Sequence, residues 1–147
     1  MIFLDTSVIY ALADRADPNH SRARELFASA LQAEEDLLTH SYVLVESAAL
    51  LQSRLGLSAA LRFLDESQSF RVHWVTPRDH HEAIQLLKER GRRGLSLVDC
   101  VSFVVMRRHG VSTYLAFDED FAREGFIPWN PWPGRLQVQL NGSASGA

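Results

Sequence analysis

The sequence predicts an α/β fold of three layers, in which a central parallel β-sheet is flanked by α-helices. Short apolar runs typical of buried strands alternate along the chain with longer segments whose apolar residues recur at helical spacing. The 147 residues suit one domain, and a hydrophobic content of 46% is enough to form a core. We expect this domain to occupy residues 1–135, followed by a C-terminal tail at 136–147 whose Gly- and Ser-rich end is disordered.

Each predicted element follows from its apolar spacing and from the residues at its ends. Ser41, Ser58 and Ser96 suit helix starts, whereas Gly56 and Gly110 suit helix ends. In chain order we predict a strand at 2–4, helices at 8–13 and 20–35, a strand at 37–39, helices at 41–55 and 57–67, a strand at 70–75, helices at 77–90 and 97–108, a strand at 113–117, a short helix at 118–124 and an edge strand at 126–129.

The composition limits the class of protein. A net charge of −3 argues against a protein that coats nucleic acid nonspecifically, although metal-binding carboxylates would also lower the charge of a nuclease. The single cysteine, Cys100, excludes an internal disulfide framework and a cysteine-rich zinc site. No apolar run reaches the ~20 residues of a membrane-spanning helix, and Met1 precedes an apolar run without a basic leader. We therefore expect a cytoplasmic protein that does not bind a membrane.

Acidic residues follow two of the predicted strands. Asp5 comes directly after the first strand and Asp118 directly after the fourth. The carboxyl ends of parallel strands share the edge at which open α/β sheets bind ligands, so both side chains are expected there. Each has a structural alternative, because Asp5 can cap a helix and Asp118 can favour a helix N-terminus. Asp99 also has one, since it completes a capping box with Ser96.

Glu46 is predicted to lie on an apolar helix face. Its neighbours three and four positions away are Tyr42, Val43, Ala49 and Leu50. An unpaired carboxylate buried there is costly, so either a cation meets it or its pKa rises and it stays neutral. A site for Mg²⁺ or Mn²⁺ accounts for the separated acids together, because these ions prefer oxygen ligands. The acids in question are Asp5, Glu46, Asp99 and Asp118.

Four short motifs contain these acids, in the order Leu4-Asp5-Thr6-Ser7-Val8, Val45-Glu46-Ser47, Leu97-Val98-Asp99-Cys100 and Phe117-Asp118-Glu119-Asp120-Phe121. In this order and spacing they resemble the PIN-domain family, and most closely the VapC-type ribonuclease toxins of bacterial and archaeal toxin–antitoxin pairs. Each motif alone has low specificity, whereas the four together are specific. The resemblance covers roughly residues 1–130 and implies a PIN-like sandwich with the acids at the carboxyl edge of its sheet.

The resemblance also implies a function, which we state as an expectation. It implies a metal-dependent endoribonuclease that hydrolyses RNA phosphodiester bonds as the toxin of a toxin–antitoxin pair. The implied ligands of Mg²⁺ or Mn²⁺ are Asp5, Glu46, Asp99, Asp118 and, more variably, Asp120. Ser7, or with less support Thr6, would orient water or a carboxylate. The implied partners are the RNA substrate, an antitoxin whose tail blocks the acid cluster, and a second copy of the chain in a homodimer.

Basic and aromatic residues are the candidates for contact with the substrate. Arg92 and Arg93, close to Lys88 and Arg90, are placed to bind RNA phosphates, but cations also suit a solvated helix end. Arg107 and Arg108 are better explained by the end of a helix. Trp129 and Trp132 could stack on bases, although packing over the sheet edge or a dimer contact is the preferred interpretation.

Two other functions are compatible with parts of the sequence. One is a non-catalytic PIN-like module that binds RNA or protein, which disagrees with the retention of all four acids. The other is a phosphatase of the haloacid-dehalogenase type, which also carries an aspartate after its first strand. That family requires a second aspartate two residues later, where this chain has Ser7.

Overall fold

The computed structural model describes residues 1–131, which form one parallel sheet and seven α-helices. The strands are β1 Ile2–Leu4, β2 Leu37–His40, β3 Arg71–His73, β4 Thr113–Leu115 and β5 Ile127–Pro128. The helices are α1 Thr6–Ala13, α2 His20–Gln32, α3 Ser41–Leu55, α4 Leu57–Glu66, α5 Pro77–Arg90, α6 Leu97–His109 and α7 Asp120–Arg123, with a 3-10 turn at Ser67–Ser69. The predicted α/β fold is confirmed. The predicted tail at 136–147 and the boundary at 135 lie outside the described residues.

The strand order is β3-β2-β1-β4-β5, and every neighbouring pair is parallel. After β1 the chain moves to β2 and β3, whereas after β4 it moves in the opposite direction to β5. Because parallel crossovers are right-handed, the two directions place their helices on opposite faces of the sheet. The carboxyl ends of β1 and β4 therefore flank the topological switch point, which is where open α/β sheets bind their ligands.

Apolar side chains from both helix layers bury β1. Phe3 and Leu4 are fully inaccessible to solvent, and Phe3 stacks on Phe121 with the ring centroids 5.8 Å apart. Phe121 in turn contacts Phe103 of α6 and Tyr114 of β4 at 5.1 and 5.0 Å between centroids. Such aromatic contacts add to the free energy of burial, so the aromatic cluster holds α6 and the segment after β4 against β1.

No helix in the described part of the chain is long and apolar enough to cross a membrane.

The element ends differ from the predicted ones where local hydrogen bonds compete with the pattern. β3 and β4 are shorter than predicted, and the helix predicted from Asp118 begins at Asp120 instead. Asp118 accepts the backbone N–H of Asp120 at 3.0 Å, which forms a turn ahead of the helix. The prediction that Ser58 starts α4 was also wrong, since α4 begins at Leu57 after Gly56 and has no side-chain cap.

His40, and not Ser41, caps α3. The Nδ1 atom of His40 accepts the backbone N–H of Val43 at 3.3 Å, whereas the Ser41 hydroxyl accepts the backbone N–H of Val75 at 2.9 Å. The Nε2 atom of His40 lies 2.9 Å from the Ser102 hydroxyl, which donates its own proton to the Val98 carbonyl. Nε2 must therefore carry the proton, and His40 is neutral with both nitrogens bonded. Burial lowers the pKa of His40 to about 3, with a further contribution from nearby His73.

A buried aspartate near His40 has several cationic or hydrogen-bonding partners. Asp79 is 1% exposed, lies 2.6 Å from the Nε2 atom of His73 and 2.8 Å from the Nε atom of Arg108, and forms a reciprocal capping box with Thr76. Burial acts to raise the pKa of Asp79, but the hydrogen bonds from His73 and Thr76 and the charge of Arg108 lower it below its ordinary value. The network joins β3, the start of α5 and the end of α6.

We predict that neutral His40 makes folding sensitive to acid. Its folded-state pKa of about 3 lies below its ordinary 6.5, so the unfolded chain binds the extra proton first as the pH falls. Its contribution to stability is therefore complete above pH ~6.5 and is lost progressively towards pH ~3, by up to about 1.4 kcal/mol per pH unit. His40→Asn retains a capping oxygen without this proton uptake. Urea unfolding of both proteins from pH 7.5 to 4.5 should give a shallower loss in the variant, and parallel curves would contradict the prediction.

Candidate active site

Asp5 is a buried carboxylate at the switch point. It directly follows β1, is 5% exposed, and its Oδ2 atom caps α1 by accepting the backbone N–H of Ser7 at 3.1 Å. The structural alternative for Asp5 is thus present, but the cap uses only one carboxylate oxygen. Burial raises the pKa of Asp5 to about 7 against the hydrogen bonds from Ser7, and the charges of Asp118 and Asp99 raise it further.

The Ser7 hydroxyl connects the ends of the two central strands. It donates to the Asp5 Oδ2 atom at 2.7 Å and accepts the backbone N–H of Phe117 at 3.1 Å. Phe117 immediately precedes Asp118, so a single hydroxyl fixes the Asp5 carboxylate relative to the segment that carries the second acid. Thr6 instead accepts a hydrogen bond from Ser47 of α3, at 3.2 Å between the two hydroxyl oxygens. Of the two hydroxyls considered from the sequence, Ser7 is the one in contact with a candidate ligand.

Asp118 and Asp99 complete a group of three electrostatically coupled acids. Asp118 is half-buried after β4, and burial raises its pKa, with the charge of Asp99 as the next contribution. Asp99 is at the third position of α6, where it forms the predicted capping box with Ser96. Its Oδ2 atom accepts the backbone N–H of Ser96 at 3.0 Å, and the Ser96 hydroxyl accepts the backbone N–H of Asp99 at 3.0 Å. The capping alternative for Asp99 is therefore also present in the structure.

The environment of Asp5 differs from that of Asp79, the buried acid in the first turn of α5. Asp79 has His73 and Arg108 as partners, and its pKa is lowered. Asp5 forms no ion pair with any cation of residues 1–131, the charges that act on it are those of Asp118 and Asp99, and its pKa is raised. An external cation would offset this desolvation and repulsion. The oxygen-only donor set fits a hard divalent ion, although within residues 1–131 no three acid, histidine or cysteine side chains already converge at ligand distance.

The expectation that Glu46 is surrounded by apolar side chains was wrong. Glu46 is exposed, because α3 directs Val43, Leu44, Ser47 and Leu51 inward and leaves Val45 and Glu46 on the solvent side. Of the four apolar neighbours expected around it, only Val43 is buried, and Ala49 is exposed. The Ser47–Thr6 hydrogen bond nonetheless places the turn that carries Glu46 beside the turn that carries Asp5. Glu46 thus remains a candidate through its position and not through burial.

The remaining predicted site residues are Asp120, Arg92 and Arg93, and two of them pair with each other. Asp120 begins α7 and lies 3.2 Å from an Nη atom of Arg92 and 3.8 Å from Arg123. Arg92 is therefore engaged with an acid of the site, whereas Arg93 is exposed and forms no ion pair within residues 1–131. The turn that holds them is closed by a hydrogen bond from the Leu95 amide to the Arg92 carbonyl at 3.2 Å.

Several other basic residues have structural roles. Arg90 and Arg107 both pair with Glu124, whose side chain is 3% exposed, at 2.6 and 2.9 Å. Arg108 pairs with Asp79 and Glu82. Trp129 packs against the core and donates from Nε1 to the Ser29 hydroxyl at 2.9 Å, as its preferred interpretation requires. Trp132 lies outside the described residues.

Sequence reasoning missed two residues at this edge. Ser47 carries the contact that brings α3 against the Asp5 turn, and only its position next to Glu46 in a motif could have indicated it. Trp74, which follows β3, is 72% exposed. It resembled an ordinary strand residue because the strand was predicted to continue to residue 75.

The arrangement of acids can be compared with known families. The family model described as PIN domain matches residues 2–127. The chain belongs to the PIN-domain family. A curated relative from Mycobacterium tuberculosis, the 23S rRNA-specific endonuclease VapC20, is 37% identical over 133 residues, which are 89% of this chain and 99% of the relative. This membership confirms the predicted family and removes the haloacid-dehalogenase alternative.

Solved structures agree with that assignment. The crystal structure of Mycobacterium tuberculosis VapC20, described as a sarcin–ricin loop cleaving toxin, matches with a TM-score of 0.78 and 35% identity, covering 86% of this chain and 97% of that one. VapBC2 from Rickettsia felis, bound to a DNA fragment from its promoter, matches with a TM-score of 0.62 and 16% identity, covering 88% of this chain and 98% of that one. At that identity the second likeness establishes the fold alone.

We predict that the charge of Asp5 destabilises the metal-free protein. Its folded-state pKa of about 7 exceeds its ordinary 3.8, so the folded chain holds the proton longer and stability falls as the pH rises between these values. Asp5→Asn keeps an oxygen for the Ser7 contacts without the charge. In EDTA at pH 8 the variant should be more stable than the wild type by as much as roughly 4 kcal/mol, the equivalent of about three pKa units.

Chemical denaturation in EDTA from pH 8 to pH 4.5 measures this difference, which should shrink as the pH falls. Asp65→Asn, at an exposed position of α4, is the matched control and should follow the wild type. An Asp5→Asn variant that is less stable than the wild type at pH 8 would show that the carboxylate acts only as a helix cap.

Proposed function

We propose that this protein is an endoribonuclease that hydrolyses RNA phosphodiester bonds with Mg²⁺ or Mn²⁺, and that it is the toxin of a toxin–antitoxin pair. The observation that carries the proposal is Asp5, a buried carboxylate at the switch point that is acted on by acidic charges and has no cationic partner within residues 1–131. Family membership and the 37% identity to a 23S rRNA-specific endonuclease support it. The cytoplasmic location predicted from the sequence remains a prediction.

In this proposal Asp5, Asp99 and Asp118 hold the ion, and Glu46 and Asp120 are further candidate ligands. When bound, the ion lowers the pKa of water and neutralises charge on the phosphate and the leaving oxygen. The chain itself supplies orientation. Ser7 holds one Asp5 oxygen at 2.7 Å and Ser96 holds one Asp99 oxygen at 3.0 Å, so each remaining Oδ1 atom is left for the ion. Ser7 is accordingly a positioning residue and not a catalytic one.

The substrate proposed for this chain is a structured RNA of the ribosomal type. The relative with 37% identity is specific for 23S rRNA, and its crystal structure is described as that of a toxin that cleaves the sarcin–ricin loop. RNA loops expose unpaired bases and bend the backbone, and proteins recognise them by these features.

A groove beside β1 suits the proposed antitoxin. It has a volume of about 590 Å³ and lies between α1, α2, α3 and α4, with Ile9, Phe27 and Phe63 among its apolar walls. Leu31 of α2 also lines this groove and is 54% exposed. Further lining residues with positive charge are Arg15, Arg24 and Arg62, against a single acid, Glu66. An antitoxin segment with apolar and acidic side chains would fit this groove.

The predicted homodimer is a separate proposal that sedimentation can test.

We predict cleavage of an rRNA stem-loop in Mg²⁺ or Mn²⁺ and no cleavage in EDTA. Asp5→Asn and Asp118→Asn should abolish it because they remove candidate ligands, and Ser7→Ala should lower the rate roughly 10- to 100-fold, as expected when a ligand loses its orienting partner. Asp65→Asn, purified identically, controls for variant effects, and Asp5→Asn controls for contaminating nuclease. Cleavage that is equal with and without EDTA would contradict the metal mechanism, and no cleavage by the wild type would favour the non-catalytic alternative.

We predict that Arg93 and Arg92 both contribute to RNA binding but that only Arg92 also contributes to stability. Arg93→Ala should weaken RNA binding and make its salt dependence shallower by roughly 0.7 to 0.9 in log–log slope, the value of one lost phosphate contact. Arg92→Ala should also lower the melting temperature, since it removes the partner of Asp120 at 3.2 Å. Fluorescence anisotropy at several salt concentrations provides the slopes. Exposed Arg22 of α2 is the control, and an Arg93→Ala slope equal to that of Arg22→Ala would exclude a phosphate contact at Arg93.

A further inference from the structure

Trp74 is an exposed tryptophan on a fixed backbone. Its side chain is 72% exposed, the highest value among the large apolar residues of 1–131. Tryptophan is highly buried on average, so this exposure is informative. The residue does not lie on a loose loop. It follows His73, which pairs with His40 in the sheet, and it precedes Val75, whose N–H donates to the Ser41 hydroxyl at 2.9 Å.

Hydrogen bonds also fix the backbone on the C-terminal side of Trp74. The backbone N–H of Thr76 donates to the Asp79 carboxylate at 3.0 Å, and the Asp79 N–H donates to the Thr76 hydroxyl at 3.1 Å. Asp79 is itself bound by His73 and Arg108. Trp74 is therefore presented to solvent by a segment with little freedom to fold its indole back onto the core.

Trp74 lies at the same sheet edge as the candidate active site. The register aligns Phe3 with Leu38 and Leu38 with Arg71, so the positions two residues later, Asp5, His40 and His73, form one row. Trp74 is the next residue beyond this row. Strands are spaced by about 4.8 Å, so β3 lies roughly 10 Å from β1, on the side away from Asp118. Nucleotides that flank a scissile phosphate at the acids can reach that distance.

The surroundings of Trp74 suit a nucleobase. Ser41, which holds the Val75 N–H, is one helical turn before Val45, so Val45 lies on the α3 face that is next to this segment. Val45 is 68% exposed, second only to Trp74 among the large apolar residues described, and it precedes Glu46. Arg78 and His81 follow Trp74 four and seven residues later, both exposed on the first turns of α5, and Arg78 also pairs with Glu82 at 3.1 Å. An aromatic face beside an aliphatic side chain and basic groups is the usual environment for an unpaired base.

We infer that Trp74 stacks on an unpaired base of the RNA substrate adjacent to the cleavage site, which makes it a substrate-binding residue of this nuclease. The inference rests on the proposed function and also states where the RNA runs on the surface. It extends the substrate path from the acids across β2 to β3. Arg93 would then contact phosphate at another part of the same path. Loss of the indole weakens RNA binding without removing any group from the acid cluster.

The test compares wild type, Trp74→Ala and Trp74→Phe in single-turnover cleavage of an rRNA stem-loop with Mg²⁺. The enzyme concentration at half-maximal rate should rise roughly 5- to 150-fold in Trp74→Ala, the equivalent of losing one stacked base. The rate at saturating enzyme should change much less, and Trp74→Phe should recover most of the loss. Ile127→Ala, which truncates a side chain 58% exposed on β5, is the matched control and should resemble the wild type.

A set of RNAs, each with one loop base removed to leave an abasic site, identifies the stacked base. One of these RNAs should bind the wild type more weakly and show no further loss with Trp74→Ala. An unchanged half-maximal concentration in Trp74→Ala, or an equal loss on every abasic RNA, would overturn the inference while leaving the proposed function intact. A change in sedimentation coefficient in Trp74→Ala that accounts for the loss would overturn it in favour of a contact between copies. If the wild type neither binds nor cleaves RNA, the proposed function and the inference both fail.

Discussion

The burial of the Asp5 carboxylate at the end of β1 is the constraint around which the site is arranged. β1 is the middle strand, so a residue at its carboxyl end has a strand on each side. Helix α1 begins directly after Asp5. Asp5 is 5% exposed, and this burial makes ionisation of the carboxyl costly and raises its pKa. Ser7 offsets part of that cost with its N–H and hydroxyl. The hydroxyl of the same residue also accepts the Phe117 N–H, so the solvation of Asp5 and the placement of Asp118 depend on one side chain.

The fold contains a second buried aspartate, and the contrast between the two is instructive. Asp79 lies among His73, Thr76 and Arg108, and these contacts outweigh the desolvation of its charge. Its network fastens the α5–α6 pair to β3. On the adjacent strand β2, neutral His40 caps α3 and bonds to Ser102 of α6. Asp5 receives hydrogen bonds but no cation from residues 1–131. A chain that neutralises one buried aspartate with its own side chains and leaves another beside two further acids has a site suited to an ion from solution.

The sequence was sufficient for the fold class and for the edge at which the acids lie, because both follow from local pattern and parallel topology. Asp5 and Asp118 could be placed since each follows a strand directly. The strand order could not be derived, because nothing local to β3 or β4 states which neighbour β1 will take. The burial of Glu46 was predicted wrongly for a related reason. Apolar residues at helical spacing show which residues share a face, but not whether another element covers that face. Here Ala49, on the face of Glu46, is itself exposed. His40 was missed as a cap because histidine seldom fills that role, and its tautomer depends on Ser102, 62 residues away.

The two interpretations offered for Asp5 and Asp99, helix cap or metal ligand, turn out to be compatible. A carboxylate has two oxygens, and in each residue a single oxygen, Oδ2, makes the capping contacts. The capping bond restricts rotation of the side chain, so the direction of the second oxygen is set by the start of the helix. A carboxylate that caps a helix is therefore a more rigid candidate metal ligand than an unrestrained side chain on a loop. For this reason Asp5 and Asp99 can each serve both as a helix-capping residue and as a candidate metal ligand. If the proposed ion binds, the entropy that its ligands would lose has already been lost when α1 and α6 formed.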